Sequence, residues 1–210
     1  MEPAASATSK TVDALERVFE VTSVLPLAGF ALLHVGTYAP ALFGATEIGG
    51  RHAPSGWALA GEALGIWLPL GFHTIYALPL WLARRRAAPA GGPAAWLALH
   101  RVTGLLLACF LVDHFVRFRL PILEGDRYPA ESVQALAREL SSTTSGVPLV
   151  AAFQALGTLS LAFHLGYGLW RVAERHAAAH AQRPLRVACV AVGALFGLLG
   201  TLTVVRLATG

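Results

Sequence analysis

The chain has 210 residues, 55% of them hydrophobic and only 13% charged, about half the roughly 25% charge of an ordinary soluble domain. Its mean hydropathy is +0.58 and its pI 9.6, values that exclude a soluble globular enzyme and a disordered protein and leave an integral membrane protein. The 16 Lys and Arg are scattered at the ends of apolar segments with no basic stripe, so they read as topology signals and not as a nucleic-acid surface.

Met1 to Glu20 carries Glu2, Lys10, Asp13, Glu16 and Arg17 ahead of an apolar run too long for a signal h-region, so no cleavable leader is expected. A hydrocarbon core of about 30 Å needs roughly 20 helical residues. Five stretches satisfy this, at about 21–46, 63–83, 96–116, 147–170 and 187–205. The expected fold is all-α, a single membrane domain over 1–210 with five transmembrane helices. An N-terminus inside and a C-terminus outside put ten of the 16 Lys and Arg on the inner side, while acidic residues nearly balance the outer six. The AAPAGGPAA connection after Arg86 reads as a turn. Within the outer loop, about 117–146, Val133, Leu136 and Leu140 have helical spacing, so 129–140 is expected to form a surface helix. Cys109 and Cys189 lie inside apolar runs and read as packing residues, with no disulfide framework.

His34, His73, His114 and His164 stand in the apolar runs, one on each of the first four helices. His52, His100, His176 and His180 fall in loops or at span ends. An ionisable group in hydrocarbon is costly, which makes an intramembrane histidine a functional residue by default. One such residue can be a satisfied packing histidine; four on four consecutive helices point to bis-histidine haem, with two imidazoles per iron. Depth suggests the pairing. At 1.5 Å per residue, His73 and His164 lie ~16 and ~11 Å from the inner-border Arg84 and Arg171, whereas His34 and His114 lie ~25 and ~20 Å from Arg17 and Arg101. His73 therefore shares the inner half with His164, and His34 the outer half with His114.

Local sequence agrees. Phe72-His73-Thr74-Ile75-Tyr76 matches Phe163-His164-Leu165-Gly166-Tyr167 in part, and Ser23, Leu25, Leu27, Phe30 and His34 align with Thr103, Leu105, Leu107, Phe110 and His114. The two helix pairs read as a weak internal duplication, or as chance similarity between leucine-rich spans. Gly157, Ser160 and Gly168 share the face of His164 and leave room for a porphyrin; they equally suit close helix packing. Pro69, one turn before His73, predicts a kinked or locally opened helix.

The order of the four histidines, with gaps of 39, 41 and 50, and the Arg101-Val102-Thr103-Gly104 opening of the third helix give the chain a resemblance to a known family. With LGIWLPLGFHTIY, HRVTGLLLACFLVDH and LGTLSLAFHLGYGLW around the last three histidines, it resembles the di-haem, five-helix cytochrome b anchors of succinate:quinone oxidoreductases, the succinate dehydrogenases and fumarate reductases. The first helix, with Arg17, Pro26 and His34, matches more loosely. The resemblance implies a subunit of a bacterial cytoplasmic membrane complex, not an enzyme alone. Its partners would be a flavoprotein with covalent FAD and an iron-sulfur protein on the inner face. It would hold an inner b haem on His73 and His164 and an outer one on His34 and His114, and pass electrons to or from a quinone, most often menaquinone, near the outer haem. The chain departs from the family in a longer loop before His164, in Ala162 where some fumarate reductases carry a glutamate, and in Asp113 beside His114.

Electron wiring depends on axial ligation, burial and nearby charge. Each neutral histidine needs an acceptor for its other ring nitrogen, and Ser160 is a candidate for His164. Arg17, Arg101 and His100 at the inner border, and Arg117 or Arg119 beyond His114, are candidates for propionates or simply snorkel. Glu62, opening the second helix, and Asp113 are candidates for proton handling at a quinone site; otherwise Glu62 is an interfacial carboxylate and Asp113 a partner of Arg117 one turn on. His176 and His180 form an i,i+4 pair with no evident third zinc ligand. The alternatives are a di-haem cytochrome b of another dehydrogenase or reductase, or a haem-free scaffold or transporter.

Overall fold

A computed structural model describes residues 15, 18–20, 22, 26, 28–44, 55–84, 94–125 and 129–210. Arg17 and the turn after Arg86 lie outside the described residues. The described residues are helical throughout their long segments and contain no named strand, only a Thr144–Val147 bridge. We number the helices in chain order. α1 is Ala28–Phe43, ending in the 3-10 turn Ala39–Phe43 that Gly44 closes at φ 83°. α2 comprises Gly56–Glu62, a π-turn Ala63–Trp67 and Leu68–Arg84 without interruption. α3 is Ala94–Leu123, α4 Pro129–Ser141, α5 Leu149–His176 and α6 Ala179–Thr209. Three of them, α3, α5 and α6, are long and apolar enough to cross a membrane.

α5 and α6 extend well beyond the 147–170 and 187–205 read from hydropathy. Their extra turns are polar (Arg171 to His176, and His180 to Arg186), and a backbone that leaves hydrocarbon can stay helical in the interface. The surface helix expected at 129–140 is α4, lying against α5 and α6 with Leu140 buried.

The distribution of side chains is inverted relative to a soluble bundle. Thr103, Gln154, Ser160 and Thr203 are buried, while Leu33, Ile75, Val112 and Leu198 face outward. An apolar exterior over long helices suits lipid as solvent. The small core joins α1, α3 and α5 through Ala31, Leu107, Phe110 and Leu165. Thr74, Thr103, Thr158 and Thr203 each donate a hydroxyl hydrogen to the carbonyl four residues back, so their polarity is met within their own helices.

α5 and α6 cross closely on glycines. A Cβ on Gly193 would meet the Ala162 carbonyl oxygen at 2.6 Å, and one on Gly197 would meet the Ala162 Cβ at 2.9 Å. This small-residue seam lets two backbones approach as lipid-embedded helices commonly do.

The opening expected near Pro69 lies immediately upstream of it. In the π-turn Ala63–Trp67 the Leu68 N–H donates to the Ala63 carbonyl, five residues back, directly before the proline that has no N–H to give. α3 repeats the device: the π-turn Phe115–Arg119 ends with Leu120 N–H donating to the Phe115 carbonyl, directly before Pro121. The two π-turns meet, with the Trp67 and Phe115 rings edge to face at 4.8 Å.

Two histidine pairs as candidate cofactor sites

His34 of α1, His73 of α2, His114 of α3 and His164 of α5 meet as two pairs. His73 and His164 have ring centroids 6.2 Å apart at 83°. His34 and His114 have centroids 5.5 Å apart at 80°. Metal–imidazole bonds of about 2.0–2.1 Å on both sides of one ion put the two ring centroids roughly 6 Å apart. Both pairs have about that spacing.

The inner pair is set in rings. Phe19 stacks on His73 at 4.8 Å and 6°. His100 stacks on His164 at 4.0 Å and 8° and touches Tyr167 on its other side. His164 Nδ1 lies 3.1 Å from the His100 carbonyl oxygen; with Nδ1 protonated the ring donates there and leaves Nε2 as its lone-pair nitrogen. The acceptor is thus a main-chain carbonyl of a neighbouring helix. This corrects the expectation of Ser160 one turn away on α5: Ser160 is buried, but the ring of His164 reaches across to α3. Gly104 makes that reach possible, because a Cβ there would sit 2.8 Å from His164 Cε1. The glycine of the Arg101-x-Thr103-Gly104 pattern is therefore the cradle of the His164 ring. Gly168 lies under His100, where a Cβ would be in ordinary contact at 3.6 Å. Gly157 differs: a Cβ there would lie 2.1 Å from the Phe110 ring, so its space is filled by a phenyl group from α3.

The outer pair opens on an apolar cavity. It is lined by His34 and Tyr38 of α1, Phe110, His114 and Phe118 of α3, Leu136 and Leu140 of α4, Gln154 of α5 and Thr203 of α6. The cavity among these residues measures about 130 Å³, below the ~300–1,000 Å³ common for small-molecule sites. α4 walls one side. His34 lies between Phe30 and Tyr38, and His114 between Phe110 and Phe118. His114 Nδ1 lies 3.2 Å from Gln154 Oε1.

The charged candidates separate into two kinds. Glu62 is paired with Arg119 across α2 and α3, with Arg119 Nε donating to Glu62 Oε1 at 2.8 Å and Trp67 Nε1 donating to the same oxygen at 2.8 Å. This cluster spans the two facing π-turns and occupies Arg119, a propionate candidate, with a carboxylate. Asp113 accepts from Arg117 Nε at 2.8 Å, and Arg117 also lies 3.6 Å from Glu139 of α4. Asp113 thus has the one-turn partner weighed from its spacing. Arg101 follows His100 on α3, at the level of the inner pair. His176 and Arg175 both meet Glu20, and no group of three or more metal-ligating side chains is found among the described residues.

Sequence reasoning underrated two residues. By sequence His100 falls at a span end, yet it stacks on His164. Gln154 was not singled out, though a lone amide inside the run 147–170 is itself a signal.

Four histidines thus meet in two pairs within an all-helical protein, three of whose helices are long and apolar enough to cross a membrane. Among curated proteins, the chain is 28% identical over 164 residues to the succinate dehydrogenase cytochrome b558 subunit of Bacillus subtilis (strain 168), covering 75% of this chain and 76% of that protein. No family model matches the chain, and no solved structure does.

Proposed function

We propose that this chain is the cytochrome b anchor of a succinate dehydrogenase or fumarate reductase complex in a bacterial cytoplasmic membrane. In this reading it has five spans, with the N-terminus inside. The observation that carries the reading is the meeting of His73 with His164 and of His34 with His114, at ring spacings of 6.2 and 5.5 Å suited to one shared ion each. The likeness to a succinate dehydrogenase cytochrome b subunit supports the same assignment.

Two b haems held in series by these pairs would supply one-electron relays between the inner and outer faces. The chain's own residues prepare both sites. His100 and Gln154 offer oxygens to the Nδ1 atoms of His164 and His114, which frees each Nε2 for iron. Gly104 leaves space for the inner ligand, and Phe30, Tyr38, Phe110 and Phe118 keep water from the outer one. A flavoprotein and an iron-sulfur protein dock at the inner face, and a quinone, menaquinone in most of the family, reacts near the outer pair. Glu62 and Asp113, at the outer ends of α2 and α3, handle the accompanying protons. Arg101 supplies charge for propionates at the inner pair, and Arg17 has the same assignment by sequence.

Haem stoichiometry tests the assignment. Wild type should bind two b haems per chain, and each of the four His→Ala variants should lose one of them. A colourless protein would leave only a haem-free scaffold or transporter. The geometry also has an energetic consequence. Succinate oxidation inside with quinone reduction near the outside moves charge across most of the bilayer, and each full crossing couples to about 2.3 kcal/mol per 100 mV. Succinate-to-quinone turnover in sealed vesicles should therefore depend on membrane potential. Turnover indifferent to an uncoupler argues against an outer quinone site.

A further inference from the structure

The two histidine pairs differ in what holds their ligands. His164 uses a main-chain carbonyl, which no side-chain substitution removes. His114 uses Gln154, a side chain 4% exposed on α5. That glutamine is an expensive choice for the site. Its Nε2 is buried and has no hydrogen-bond partner among the described residues, and an unmet buried amide group is destabilising. Leucine, of similar volume, would carry no such penalty in a cavity lined mainly by apolar side chains such as Phe110, Leu111 and Leu161. Packing therefore does not explain an amide here, and the interaction with His114 does.

We propose that Gln154 is the positioning residue of the outer haem ligand: its Oε1 accepts from His114 Nδ1–H, fixes the tautomer that presents Nε2 to iron, and sets the electron density on that imidazole. This rests on the haem reading above. The stronger the acceptor at Nδ1, the more imidazolate character the ligand has and the more it favours the ferric state. Gln154 thus tunes the outer haem alone, and the inner haem answers to the fixed carbonyl of His100.

The test is a redox titration of the full chain, with the outer haem identified by its loss in His34→Ala. Gln154→Glu, which keeps the shape and strengthens the acceptor, should lower the outer midpoint potential. Gln154→Leu, which removes the acceptor without adding charge, should raise it and alter the ferric low-spin electron paramagnetic resonance of that haem. Both variants should retain the inner haem at its wild-type potential, and Gln154→Leu should unfold no more readily than wild type. Unchanged outer potentials in both variants, shifts shared equally by both haems, or loss of both haems from the isosteric Gln154→Glu would overturn the proposal. A wild-type chain that binds no haem would instead overturn the haem reading on which it stands.

Discussion

The inner histidine pair joins α2 to α5, the outer pair joins α1 to α3, and the two are held differently. The inner pair is fixed by backbone and by flat rings: the His100 carbonyl, the His100 and Phe19 faces and the missing Cβ of Gly104. The outer pair is fixed by a side-chain amide and lies in a cavity that four helices besides α5 help to line. A ligand held by backbone is insensitive to most single substitutions but intolerant of added volume. A ligand held by a side chain can be adjusted by one substitution. The comparison therefore teaches where each site is vulnerable.

The largest effect should erase the difference. α5 carries both His164 and Gln154, and its face at Ala162 lies against Gly193 and Gly197 of α6. Ala162→Glu would drive a carboxylate into that seam, and overpacking plus an unpaired intramembrane charge should cost more than about 3 kcal/mol. We expect loss of both haems and of the folded chain, measured as haem per protein and as resistance to detergent unfolding. There is no room in this seam for a carboxylate at 162. A well-folded Ala162→Glu protein with both haems would break this account.

Gly104→Val should separate the two sites. Its Cβ would lie within about 2.8 Å of His164 Cε1 and displace the ring. On the two-haem reading proposed above, haem content should fall from two to one per chain, with the remaining spectrum that of the outer site. Retention of both haems would show that α3 can retreat from α5 at this point.

Much of this was legible in the residues themselves. Isolated histidines in apolar runs stand out because hydrocarbon tolerates few polar groups. The pairing followed from arithmetic of rise per residue against arginine borders, which needs no knowledge of helix rotation. The amphipathic spacing of Val133, Leu136 and Leu140 was enough to find α4. Rotation and lateral contact were not legible. Ser160 shares a face with His164 by periodicity, but the acceptor is on another helix. Gly157, on that same face, takes up Phe110. Proline marked the weak point of α2, but whether the helix would kink or widen into a π-turn depends on the neighbour it meets. Here the neighbour is a second π-turn before Pro121.

A finer comparison lies between two ion pairs whose arginines, Arg117 and Arg119, stand two residues apart on α3. Arg119 and Glu62 have side chains 20% and 24% exposed, and Glu62 also accepts from Trp67 Nε1. Arg119→Ala leaves that carboxylate partly buried with only the indole, a loss between the exposed and buried limits, about 1–3 kcal/mol. It should loosen the contact of the two π-turns and lower quinone turnover more than haem content. Arg117 and Asp113 are 43% and 30% exposed, and Arg117 also faces Glu139. Water and salt screen such a network, so Arg117→Ala should change unfolding by less than about 1 kcal/mol, and less still at high ionic strength. Its removal also takes from Asp113 the partner one turn on. If Asp113 carries protons for the quinone, Arg117→Ala will move the pH profile of quinone turnover while stability stays nearly constant. If Asp113 serves only to hold Arg117, neither quantity will move, and the proton role falls to Glu62 alone.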